Sequence, residues 1–116
     1  MALALGIDFE HIYHTPAYRS LESAPKISID LEAITARLLR LLEENDAQAT
    51  FFMISDLAEK FPDLVERIAS AGHEIASHTA SHPSLPSLRE DEIQAEVRES
   101  KATLERFSGA TVSGFR

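Results

Sequence analysis

The stretch 49-ATFFMISDLAEKFPDLVERIASAGHEIASHTASHPSL-85 decides the architecture. A short apolar run, Ala49–Ile54, reads as a strand buried on both faces. Ser55 or Asp56 opens a short helix, Pro62 sits in the first turn of the next, and Gly72 ends it. A second short strand is predicted over His73–Ser77, and it leads straight into His78 and His82, four residues apart. Strand, helix and strand in that order imply a parallel pair joined by a right-handed crossover. Functional groups in such folds gather where strands end.

Working outward, residues 2–8 form an apolar first strand that ends at Asp8 and Glu10. Residues 11–28, with Pro16, Pro25 and two tyrosines, lack periodicity and read as a loop. Asp30 caps a helix expected from about Leu31 to Asn45, with Ile34, Leu38, Leu41 and Leu42 on its inner face. Beyond the histidines, Pro83 and Pro86 mark a loop over 78–87. A long helix follows from about Ser87 to Phe107, with Ile93, Val97 and Leu104 inward, and Gly109 stops it. Thr111–Phe115 is expected to be a last strand. The order is βαβαβαβ, without internal repeat, low-complexity tract or linker. Phe51, Phe52 and Phe61 are expected in the core.

Composition narrows the chemistry. The 116 residues form one domain at most, and 44% of them are hydrophobic. Eleven basic and 19 acidic residues give a net charge of −8, which argues against nucleic acid and against an anionic membrane surface. Without cysteine there are no disulfides and no thiolate ligands, so any metal must be held by imidazole and carboxylate. No apolar run approaches the roughly 20 residues of a membrane span. The N-terminus Met-Ala-Leu-Ala-Leu-Gly has no basic region and no long apolar core, so it reads as the first strand and not as a secretory signal. A cytoplasmic location is expected on that basis.

His78 and His82 have metal-ligand spacing. A bare H-x-x-x-H is more often a pair of surface histidines. Here both follow a strand, and an acidic strand end lies elsewhere in the fold. Two imidazoles and one carboxylate suit a divalent ion, zinc being the commonest, with cobalt, nickel or iron(II) compatible. Asp8 and Glu10, two apart on a strand, point to the same side. His73 is expected to be structural. His11 and His14 lie near the acidic cluster, and His11 is within reach of the metal as a secondary alternative.

These residues carry a resemblance. The chain resembles the first part of a polysaccharide deacetylase catalytic domain, the NodB-homology or carbohydrate esterase family 4 group. Gly6-Ile7-Asp8-Phe9-Glu10 is similar to the family's acidic strand-end motif, and His78-Thr79-Ala80-Ser81-His82 to its H-(S/T)-x-x-H motif. The ATFF…GHEIASH framework is also similar, and Ser113-Gly114-Phe115-Arg116 looks like the opening of the third motif. The resemblance covers most of 1–116 but leaves residues 12–28 unplaced. It implies an α/β fold, the N-terminal portion of a distorted (β/α) barrel with parallel strands.

By the same resemblance, the chain is expected to be a metal-dependent hydrolase domain that removes acetyl groups from N- or O-acetylated carbohydrate. It implies Asp8, His78 and His82 as metal ligands, Glu10 as base or supporting acid, and Arg116 as the residue that orients the base. The family's usual motif has adjacent aspartates, and Phe9 separates the acids here, so the opposite assignment of Asp8 and Glu10 also fits. A leaving-group histidine belongs to a later motif of the family. Two other readings are compatible with the sequence: hydrolysis of a cyclic imide or ureide-type C–N bond, and a non-catalytic metal- or sugar-binding fragment. A partial barrel leaves strand edges and apolar helix faces uncovered. Self-association into a homo-oligomer, or pairing with a C-terminal half, is therefore expected.

Overall fold

The computed structural model describes residues 3–116. Three parallel strands, β1 (Gly6–Phe9), β2 (Thr50–Met53) and β3 (Glu74–Ser77), form one sheet in sequence order. Phe9, Met53 and Ser77 stand level across it, as do Asp8, Phe52 and Ala76. Connecting segments supply α1 (Pro16–Arg19), α2 (Leu31–Glu44), α3 (Ser55–Lys60), α4 (Pro62–Ser70) and α5 (Glu90–Ser108), with 3₁₀ turns at Ile12–His14 and Leu85–Ser87. This is the parallel α/β arrangement expected from the sequence. Among the described residues no helix is long and apolar enough to cross a membrane.

Alternation along the strands separates two faces. Phe9, Phe51, Met53, Ile75 and Ser77 are buried on one face, under α4 and α5, with α3 packed against both helices. The core continues through Ile54, Leu57, Leu64, Val65, Ile68 and Leu104. Each fully buried side chain of this size stabilises the fold by about 1.5–3 kcal/mol relative to exposure. Asp8 and Phe52 alternate with this set and lie on the other face. Phe52 is therefore not core as expected: it is half-buried, with the Arg116 guanidinium 5.4 Å from its ring centroid.

Several predicted boundaries move. β1 begins at Gly6, not residue 2: Ala2 lies outside the described residues, and Leu3–Leu5 are exposed and outside the strand. Residues 11–28 are not a plain loop. Thr15 caps α1, accepting from Tyr18 N–H, and the hydroxyls of Tyr13 and Tyr18 donate to the Ile27 and Pro25 carbonyls. Asp30 caps α2 as expected, its carboxylate accepting from Ala33 N–H at 2.9 Å. The inner face of α2 is different, however. Thr35 and Leu42 are buried, with Leu31, Leu38 and Leu39 partly so, while Ile34 and Leu41 are exposed. The helix has more apolar residues than one stripe can bury. Thr111–Phe115 makes a single parallel bridge, Phe115 to Ser77, and not a full strand.

Two glycines are required by their surroundings. Gly109 closes α5 at φ 67°, in the left-handed region. A Cβ on Gly114 would stand 2.9 Å from that of Ala76, so only glycine lets the C-terminal segment lie this close to β3.

Candidate metal centre

Sheet register brings the acid and the histidines together. Phe9, Met53 and Ser77 are level, so the next residues on the outer strands, Glu10 and His78, leave the sheet at one height. Glu10 Oε2 lies 3.1 Å from His82 Nε2 and 3.8 Å from His78 Nε2. One donor atom from each of Glu10, His78 and His82 fits within 4.8 Å of the others. The imidazole rings stand edge to face, 4.9 Å apart.

Asp8, the ligand favoured from sequence, does not meet the imidazoles in this geometry. It is one strand repeat lower, level with Phe52 and Ala76, and pairs with Arg116 Nη1 at 3.4 Å. The Arg116 side chain reaches Asp8 across Phe52 and Gly6, where a Cβ would stand 3.1 Å from Nη1. Both partners are substantially exposed, so the pair contributes at most about 1 kcal/mol of stability.

The histidine loop is unusual backbone. Thr79 has φ 69° and His82 φ 58°, rare for any non-glycine residue and more so for β-branched threonine. Surrounding bonds hold it. His82 N–H donates to Thr79 Oγ1 at 2.9 Å. The Thr79 and Ala80 carbonyls accept the Ser55 and Asp56 N–H groups that open α3, which has no side-chain cap. The Ala80 and Ser81 N–H groups and the Ser81 hydroxyl all donate to the Glu96 carboxylate. Arg19 donates to the Ser81 and His82 carbonyls.

The donor set fits a divalent cation. His78 Nδ1 is 2.7 Å from the Arg116 carbonyl. A carbonyl only accepts, so the proton sits on Nδ1 and Nε2 keeps its lone pair toward Glu10. Glu10 Oε2 and His82 Nδ1 are buried without a hydrogen-bond partner. A buried carboxylate oxygen left so is costly unless a cation meets it. Imidazole and carboxylate together suit a borderline divalent ion.

The other histidines lie apart from this cluster. His73 is buried beside Phe51 and accepts from Ala49 N–H through Nδ1 at 3.3 Å. Burial holds its pKa below the ordinary histidine value, and burial does the same at His14, aided by the Arg19 and Lys60 charges. The His11 ring stacks on Tyr13 at 4.0 Å. Beside the cluster a groove of about 600 Å³ runs between His11, Tyr13, Arg19, Asp56, Lys60 and Phe61.

Sequence reasoning missed Glu96 and Arg19. For Glu96 a signal was present: it lies three residues from Ile93 and four from Ser100, beside the inward stripe of α5.

Comparison with known proteins bears on this geometry. A family model described as polysaccharide deacetylase matches residues 18–116. A peptidoglycan-N-acetylglucosamine deacetylase of Bacillus cereus is 42% identical over 80 residues, covering 69% of this chain and 29% of the relative. A chitooligosaccharide deacetylase of Rhizobium leguminosarum bv. trifolii is 36% identical over 70 residues, 60% of this chain and 33% of its own. The chain thus spans about a third of the length of these relatives. Among solved structures, a peptidoglycan N-acetylglucosamine deacetylase superposes with TM-score 0.69 at 33% identity, over 91% of this chain and 41% of that one. A family 4 acetyl xylan esterase from Clostridium thermocellum, with cobalt, shares the fold at TM-score 0.71 and 23% identity, over 97% of this chain and 46% of that one.

Proposed function

The chain belongs to the polysaccharide deacetylase family, and on that premise we propose that it forms the metal-binding part of a hydrolase that removes acetyl groups from N-acetylated sugar polymers. The observation that carries this reading is the convergence of Glu10, His78 and His82 on one point. We assign those three as the ligands of a divalent ion, zinc by ligand preference, and Asp8 as the general base, with Arg116 orienting it. This reverses the sequence-favoured roles of Asp8 and Glu10.

A divalent ion held by Glu10, His78 and His82 would supply Lewis acidity to a water and an acyl carbonyl near neutral pH. The remaining work falls to the chain's own groups. The His78 Nδ1–H bond to the Arg116 carbonyl keeps the Nε2 lone pair turned to the centre. Glu10 contributes negative charge beside the two imidazoles. Asp8, held by the Arg116 guanidinium, takes the proton of the attacking water. The adjacent groove, with the Tyr13 ring and the charged groups of Asp56 and Lys60, supports a sugar chain as the substrate class. Residues 1–116 are read as one partial deacetylase domain, in keeping with the share of its relatives that the chain spans.

The test separates the two acids. Elemental analysis is expected to find about one divalent ion per chain, lost in His78→Ala/His82→Ala and strongly reduced in Glu10→Gln. Asp8→Asn is expected to keep the ion and, tested within the full-length protein, to release no acetate from N-acetylated oligosaccharides. Metal loss in Asp8→Asn with retention in Glu10→Gln would reverse the assignment. No metal in the unmodified chain after zinc addition would overturn the reading.

A further inference from the structure

The five residues from His78 to His82 include two with positive φ and could not hold this shape alone. Their polar groups are taken up by two side chains of opposite charge from distant parts of the chain. Glu96, on α5, accepts from Ala80 N–H at 2.9 Å, Ser81 N–H at 3.0 Å and Ser81 Oγ–H at 2.9 Å. Arg19, at the end of α1, donates to the Ser81 carbonyl at 2.6 Å and the His82 carbonyl at 3.3 Å. Its Nε–H donates to the Tyr13 carbonyl at 3.2 Å. The Ser81 N–H, hydroxyl and carbonyl are therefore all bonded to ionised partners. Such charge-assisted bonds are roughly twice as strong as neutral ones.

We propose that Glu96 and Arg19 are positioning residues of the metal centre, clamping Ser81 by its N–H and hydroxyl on the one hand and its carbonyl on the other, so that His82 keeps the backbone that aims its ring at Glu10. This rests on the reading of Glu10, His78 and His82 as metal ligands. It assigns part of the excursion 11–28 a role: through Arg19 that segment fastens the loop by the carbonyls of Ser81 and His82. Neither residue touches the ligand atoms. Their action runs through the peptide groups of residues 80–82.

The experiment compares zinc affinity by chelator competition, the visible spectrum of the cobalt-loaded chain, and amide exchange of Ala80 and Ser81 in metal-free protein. The variants are Glu96→Ala, Glu96→Gln and Arg19→Met, with Glu99→Ala on the exposed side of α5 as control. Loss of Glu96 is expected to weaken zinc binding about 10–100-fold, the range for groups that orient metal ligands. It should also shift the cobalt bands and speed exchange at Ala80 and Ser81 while leaving the β2 amides protected. Glu96→Gln, which keeps the shape, should fall between, Arg19→Met should act in the same direction, and Glu99→Ala should match the parent.

Unchanged zinc affinity and cobalt spectrum in Glu96→Ala, with the parent binding metal, would overturn the clamp and leave the metal reading standing. If β2 protection is lost as well, Glu96→Gln decides: parent-like affinity and spectrum in that variant overturn the proposal. A parent chain that binds no metal, with Ala80 and Ser81 still released in Glu96→Ala, would overturn the positioning role through the reading it rests on. The bond network itself would then stand.

Discussion

His78 Nδ1–H donates to the main-chain carbonyl of Arg116 across 2.7 Å, so the residue that pairs with Asp8 through its side chain also fixes the His78 tautomer with its backbone. The two functions are separable. Arg116→Ala keeps the carbonyl and removes the guanidinium. Zinc affinity should change far less than the roughly 10–100-fold that loss of a group orienting a ligand costs, while acetate release by the full-length protein falls sharply. Chelator competition and an acetate assay on the same samples check this. A large loss of zinc would mean that the side chain, and not the carbonyl, supports His78.

The close approach of Gly114 to Ala76 makes a second prediction. Gly114→Ala places a methyl 2.9 Å from the Ala76 Cβ. The C-terminal segment must then move away from β3, weakening the bonds Ser77 N–H to Gly114 and Arg116 N–H to Ser77. Overpacking of this kind costs about 1–3 kcal/mol, readable by urea unfolding. Ala76→Gly on that background should recover part of the loss. No recovery would show that the segment is held by something other than this contact.

Inside the helix-covered face, the Ser77 hydroxyl donates to Ser100 Oγ at 2.8 Å, and both residues are fully buried. Ser100→Ala removes the acceptor and leaves a buried O–H unpaired, at a cost of about 1–3 kcal/mol. Ser77→Ala/Ser100→Ala should cost less than the two single losses added together. Additive losses in the double-mutant cycle would show that the hydroxyls do not interact.

Acid should destabilise the fold through His73 and His14, whose pKa values burial lowers. Above the ordinary histidine value of about 6.5, neither state binds protons at these rings. Below it the unfolded chain takes up protons that the folded chain resists, so stability falls as pH drops from about 6.5 toward the lower folded values. Urea unfolding from pH 8 to 5 should show that slope, and His73→Gln/His14→Gln should flatten it. An equally steep slope in the double variant would place the acid sensitivity elsewhere.

What was legible in the sequence was whatever local chemistry determines. The 49–85 stretch specifies β2, α3, α4 and β3 through an apolar run, Pro62, Gly72 and the paired histidines, each with its own signature. The excursion 11–28 was opaque because its helical turns span only three and four residues, too short for periodicity, and Tyr13 and Tyr18 close it on itself through bonds to the Ile27 and Pro25 carbonyls. The inner face of α2 was misjudged because Ile34 and Leu41 carry the same apolar signal as Leu38 and Leu42. Which acid faces the imidazoles depends on inter-strand register, and no spacing within β1 encodes that.

The carbonyls of Thr79 and Ala80 close the open end of α3. One turn of chain thus completes a helix on one side while aiming two rings on the other. The five-letter pattern is for that reason not portable. Moved to another protein without Ser55 and Asp56 beneath it and Glu96 above, the same letters would lose the backbone that makes them a pair. A designer borrowing this centre would have to carry across a knot of three elements rather than a motif.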